Sequence, residues 1–183
     1  MDAAQRQLSD QIDDATQRLL STARIIEETE LRAPSLLPGW TRAHVLAHLA
    51  RSADAMRNLM ISARDGQDRP AYASAEARAT GIELAAKQKP AELAADVAGA
   101  AMAFRTLTRQ LSDEAWACQL QILGSAPFPA GQLLTRRLVE VELHHCDLGL
   151  RYTPADWPAA FASMELTEPM RTQRQDRITW AGA

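Results

Sequence analysis

The segment VEVELHHCDLG, residues 139–149, concentrates side chains that bind metals or move protons. Glu140 and His144 are four apart, so on a helix they leave the same face, one turn apart. A carboxylate oxygen and an imidazole nitrogen at that spacing can grip one ion. Helix bundles build metal sites from inward-facing pairs of this kind on facing helices. A third ligand has to come from another element. The segment TRAHVLAHLA, residues 41–50, offers His48 as the best candidate. Val45 and Leu49 beside it are apolar, and Ala47 and Ala50 are small enough to let another helix come close. Two imidazoles and one carboxylate suit Zn²⁺, and three protein ligands leave a position open for water or substrate. Nickel, cobalt and iron accept the same ligand types.

Other side chains in these segments compete for the same roles. A Glu-x-x-x-His pair alone is a common helix pattern, and a buried histidine is more often a hydrogen-bonded core residue than a ligand. His44 forms its own four-residue pair with His48, but it lies in the first turn of its helix, where exposure is the rule. His145 points about 100° away from His144 on a helix, and is expected beside the site or at the surface. Asp147, three residues after His144, could orient that imidazole or simply be solvated at the helix end. Cys146 reads as a small buried residue rather than a nucleophile. There is no Gly-x-Ser-x-Gly elbow and no phosphate-binding glycine loop.

The elements that must position these residues are helices. Leu8, Ile12, Ala15, Leu19, Ala23 and Ile26 recur at steps of three or four and predict a first helix from about Ala3 to Leu31. Pro34 and Pro38-Gly39 break it. Thr41 is the N-cap expected for a second helix, which runs to about Arg64 and ends at Asp65-Gly66. Ser74 caps a third, with Glu76 near its positive end. Pro90 starts a fourth, with Leu93, Val97, Ala100, Ala101, Phe104 and Leu107 as its buried stripe. Ser112-Asp113 opens a short turn carrying Trp116. Ile122 to Phe128 reads as an irregular or briefly extended connection. The last strong helix is expected from about Ala130 to Leu148, stopped by Gly149. Thr153-Pro154 starts a short helix, and the tail RTQRQDRITWAGA is polar and weakly patterned. The expected architecture is all-α, a bundle of about four long helices with short extras.

Composition excludes several classes. The 183 residues carry a net charge of −3, with 46% hydrophobic and 23% charged residues. A weakly acidic chain has no electrostatic case for nucleic acid, and no basic run suggests a membrane surface. No stretch reaches the ~18 apolar residues of a membrane span. The start, MDAAQRQLSDQIDD, lacks an apolar signal-type core. Two cysteines, Cys118 and Cys146, do not make a disulfide framework, so a reducing cytoplasm is expected.

LLPGWTRAHVLAHLA, residues 36–50, followed by VEVELHHCDLG, resembles the mycothiol-dependent maleylpyruvate isomerases of the DinB-like helical-bundle superfamily. The resemblance runs from the first helix to about Trp157, and it implies zinc ligands at His48, Glu140 and His144. The segment YASAEARATGI also matches, and there Arg78 is either a residue that positions an anionic substrate or thiol, or a solvated helix arginine. The resemblance implies a thiol cofactor, mycothiol, whose metal-bound thiolate adds to the cis double bond of maleylpyruvate; rotation and elimination then give the trans isomer. The alternatives are a zinc-dependent thiol S-transferase acting on another electrophile and a non-catalytic metal-binding module. The implied partners are a small-molecule thiol and an electrophilic substrate, with neither nucleic acid nor membrane. Full-length isomerases of this family continue into a second, α/β domain. Here residues 1–157 are expected to form the bundle, and 158–183 a short extension in place of that domain.

Overall fold

A computed structural model describes residues 1–122 and 126–181. Four long helices form the bundle: α1 (Ala3–Ala23), α3 (Arg42–Asp65), α5 (Pro90–Thr108) and α7 (Gln132–Asp147). Shorter helices are α2 (Glu28–Arg32), α4 (Ala75–Ala85), α6 (Asp113–Ala117), α8 (Ala159–Ala162) and α9 (Met170–Ala181). One 3₁₀ turn spans Pro154–Asp156. Strands β1 (Gln119–Leu120) and β2 (Phe128–Pro129) pair antiparallel, Gln119 opposite Pro129 and Leu120 opposite Phe128. The connection expected over 122–128 is extended at its far end, and its residues 123–125 lie outside the described residues.

Helix α3 is the centre of the bundle, packing against α4, α5 and α7, while α1 closes the other side of α5 and α7. Its sequence explains the position. Ala43, Ala47, Ala50 and Ala53 are fully buried and let neighbouring backbones approach, and Val45, Leu46, Leu49 and Met60 fill the space between them. Burying one such leucine is worth about 1.5–3 kcal/mol. Gly66 ends α3 in the left-handed conformation (φ 67°), and Ser74 caps α4 by accepting from the Ala77 N–H at 3.1 Å.

One expectation is corrected, and one segment left without an assigned element gains one. The first helix stops at Ala23 and a separate short helix starts after Glu27, whose ψ of 159° is extended. Both sides of the break contribute to the core, Ile26 at 4% and Leu31 at 0% exposure. The C-terminal tail, weakly patterned in sequence, forms α9 and packs against α7. Among the described residues no helix is long and apolar enough to cross a membrane.

Candidate metal centre

The N-terminus of α3 and the C-terminus of α7 are tied together by Arg42. Its Nε donates to Leu148 O at 2.7 Å and its Nη2 to Gly149 O at 3.3 Å, while Nη1 reaches Glu30 O at 3.0 Å. A cation is favourable at the negative end of a helix, and the Leu148 and Gly149 carbonyls are ones that α7 itself leaves free. The Leu36 N–H donates to Asp147 O nearby. This lashing sets α3 beside α7 so that His48, six residues into α3 from Arg42, faces Glu140 and His144.

The three side chains meet. His48 Nε2 lies 3.0 Å from Glu140 Oε2 and 3.1 Å from His144 Nε2, and His144 Nε2 lies 3.6 Å from Glu140 Oε2. Ligand atoms held at about 2.0–2.1 Å around a tetrahedral ion stand about 3.3–3.4 Å apart, so one ion fits between these three with little movement. His48 is buried, whereas His144 and Glu140 are 15% and 30% exposed, which leaves the open side of the trio on α7.

Neighbours fix each candidate ligand. Ser52 Oγ donates to Glu140 Oε2 at 3.1 Å. Asp147 Oδ2 lies 2.8 Å from His144 Nδ1, and both Asp147 oxygens accept from Arg177. Burial works to raise the Asp147 pKa, but the hydrogen bonds from His144 and Arg177 overcome it and hold the carboxyl below its ordinary value. An ionised carboxylate only accepts, so the His144 proton sits on Nδ1 and Nε2 presents its lone pair to the site. Glu140 is likewise below the usual carboxylate range: burial pushes up, while His48, His144 and Arg137 together pull further down. Burial drives His48 below its ordinary pKa, against the pull of Glu140, so its ring is neutral at neutral pH.

Arg78 Nη2 lies 3.3 Å from His48 Nδ1, with its guanidinium 5.8 Å from the Tyr72 ring centre. Arginine only donates, so this contact is a hydrogen bond when Nδ1 is bare and the His48 proton sits on Nε2. That proton then points to the place where the three donor atoms converge. A cavity of about 570 Å³ is lined by Leu59, Tyr72, Ser74 and Leu120 among others, and none of the three candidate ligands lines it.

The competing residues fall elsewhere. His44 Nδ1 accepts from the Thr41 backbone N–H at 3.2 Å, and its Nε2 faces Glu83 at 3.3 Å, so the ring belongs to the start of α3. His145 is not at the surface: it is 2% exposed, 2.8 Å from Thr22 Oγ1 and stacked on Tyr152. Cys146 is buried and its thiol is pushed up to about 12, chiefly by burial, so it is no nucleophile. Sequence patterns do not reveal Ser52 or Arg177, and mark Arg137 only by its place. Arg137 is fully buried and donates to Leu49 O at 3.0 Å; its position on α7, three before Glu140, was the available signal.

A sequence model of the mycothiol maleylpyruvate isomerase N-terminal domain family matches residues 12–149. Among solved structures, the crystal structure of the mycothiol-dependent maleylpyruvate isomerase and that of its histidine-to-alanine mutant both match at a TM-score of 0.81 and 29% identity. Each match covers 86% of this chain and 65% of the other, so the chain spans about 65% of the length of those isomerases. The all-α, DinB-like bundle expected from the sequence is the fold they share with it. No protein of curated function matches.

Proposed function

The chain belongs to the mycothiol maleylpyruvate isomerase N-terminal domain family, and on that premise we propose that it is a metal- and thiol-dependent cis–trans isomerase acting on a maleylpyruvate-type dianion. The observation that carries this reading is the convergence of His48 Nε2, Glu140 Oε2 and His144 Nε2 within ligand distance of one point. Two imidazoles and a carboxylate suit Zn²⁺ and leave a coordination position free. A divalent ion there would stabilise a thiolate of the mycothiol kind at neutral pH, the nucleophile for reversible addition to an activated cis double bond.

The chain's own residues prepare that chemistry. Asp147 keeps the proton of His144 on Nδ1, so the ring offers Nε2 without rearrangement. His48 must give up the proton on Nε2 and carry one on Nδ1 to act as a ligand. Its hydrogen bond from Arg78 is then lost, because two donors would face each other. Arg78 is thereby released beside the site, placed to hold a carboxylate of the substrate and orient its double bond. Trp40, with its ring centre 5.5 Å from that of His48, covers the ring from the α3 N-terminal side.

The test is conversion of maleylpyruvate by metal-loaded protein, followed by ultraviolet absorbance with and without mycothiol and by mass spectrometry. The expected result is thiol-dependent formation of the trans isomer with the thiol recovered unchanged. Accumulation of a thiol–substrate adduct identifies an S-transferase instead, and no turnover of any thiol–electrophile pair refutes the catalytic reading.

A further inference from the structure

Arg177 on α9 lies beyond the segment matched by the family, yet it reaches the candidate metal centre in two steps. Its Nε donates to Asp147 Oδ1 at 3.0 Å and its Nη2 to Asp147 Oδ2 at 2.7 Å, a two-pronged pair with Asp147 0% and Arg177 10% exposed. The guanidinium is itself held. Its Nη1 donates to Gln173 O at 3.2 Å, and its carbon lies 4.9 Å from the Trp180 ring centre. Asp147 needs such a partner. It is the last residue of α7, where the helix field disfavours a negative charge, and it is removed from water. The planar fork satisfies both oxygens and sets the plane of the carboxylate. Oδ2, so oriented, lies 2.8 Å from His144 Nδ1.

We propose that Arg177 is a positioning residue of the metal centre, acting through Asp147 to fix the ring orientation and tautomer of His144. The inference rests on the metal-site reading of His48, Glu140 and His144. Without Arg177 the Asp147 carboxylate keeps its contact with His144 Nδ1 but loses the fork that sets its plane at that buried helix end. The His144 ring can then turn about its Cβ–Cγ bond and exchange the nitrogens it presents. Coupling of this kind makes α9 part of the site and not only a cover for α7.

The test uses the full chain with Arg177→Met, Arg177→Lys, Asp147→Asn and the double variant Asp147→Asn/Arg177→Met. Affinity for Co²⁺ is read by competition with a chelating dye, and the His144 tautomer in metal-free protein by ¹⁵N–¹H spectra of the imidazoles. Arg177→Met is expected to weaken Co²⁺ binding about tenfold or more, the usual cost of losing a carboxylate's hold on a metal-bound histidine. It is also expected to replace the single Nδ1–H form by a mixture. Arg177→Lys, with charge but no fork, falls between. The double variant binds no more weakly than Asp147→Asn, because both changes act through one contact. Wild-type affinity and an unmixed tautomer in folded Arg177→Met overturn the proposal. If that variant does not fold, Arg177→Lys decides by the same two readouts. If wild-type protein takes up no Co²⁺, the metal-site reading fails, and the tautomer spectra alone decide whether Arg177 controls His144.

Discussion

Lowering the pH towards 4 should destabilise this protein through His145. The ring is 2% exposed, with Nε2 2.8 Å from Thr22 Oγ1 and its face on Tyr152 at a 3.8 Å centroid distance. Tyr152 donates to Glu142 at 2.5 Å, and Glu142 accepts from Arg18 at 2.6 Å, so the local carboxylate is already taken. Burial, reinforced by the Arg18 charge and opposed by Asp156, pushes the imidazole from 6.5 down to about 4. The folded chain therefore takes the proton less readily than the unfolded chain. Above 6.5 neither state is protonated and the residue is indifferent to pH. As pH falls from 6.5 to about 4 the unfolded state gains a proton and stability drops, and below about 4 the loss is complete. That gap corresponds to roughly 3 kcal/mol. Urea denaturation of wild type and His145→Gln at neutral pH and near pH 4 isolates it from other groups. The wild type should lose roughly 2–3 kcal/mol more than the variant over this range. Parallel pH curves would show that His145 does not carry this loss.

Two further outcomes are specific to other parts of the fold. Gly149 ends α7 at φ 63°, and an added Cβ would meet Leu36 Cδ2 at 3.1 Å, so Gly149→Ala should cost about 1–2 kcal/mol in urea denaturation. A loss below a few tenths would contradict the strain. Cys118 is exposed and Cys146 buried with a raised pKa. A colorimetric thiol reagent should therefore titrate one thiol per native chain and both in denaturant; rapid reaction of both in native protein would contradict this placement.

Spacing alone put Glu140 and His144 on one face of α7, and the four long helices were legible from apolar steps and from Thr41, Ser74, Pro90 and Gly149. The choice of His48 over His44 came from the resemblance, and its geometric reason is visible only in three dimensions: His44 Nδ1 is occupied by the start of its own helix. His145 shows the limit of helical angles. A 100° offset says that a residue faces away from its neighbour, not that α1 and Tyr152 cover it there. The break between α1 and α2 escaped the pattern because Ile26 continues the stripe and no proline or glycine marks the turn at Arg24–Glu27. Arg177 was unreadable because its partner lies 30 residues away, and a polar helix with one inward arginine has no apolar period to reveal it.

The proposed function depends on a divalent metal held by His48, Glu140 and His144 together. Elemental analysis of purified, metal-loaded protein, alongside His48→Ala, Glu140→Gln and His144→Ala, tests it most directly, with circular dichroism as the check on folding. One ion per wild-type chain is expected, with loss of stoichiometric metal in each variant while the helical signal persists. Unchanged metal content in the folded variants, or a wild-type chain that retains no divalent ion, would contradict it.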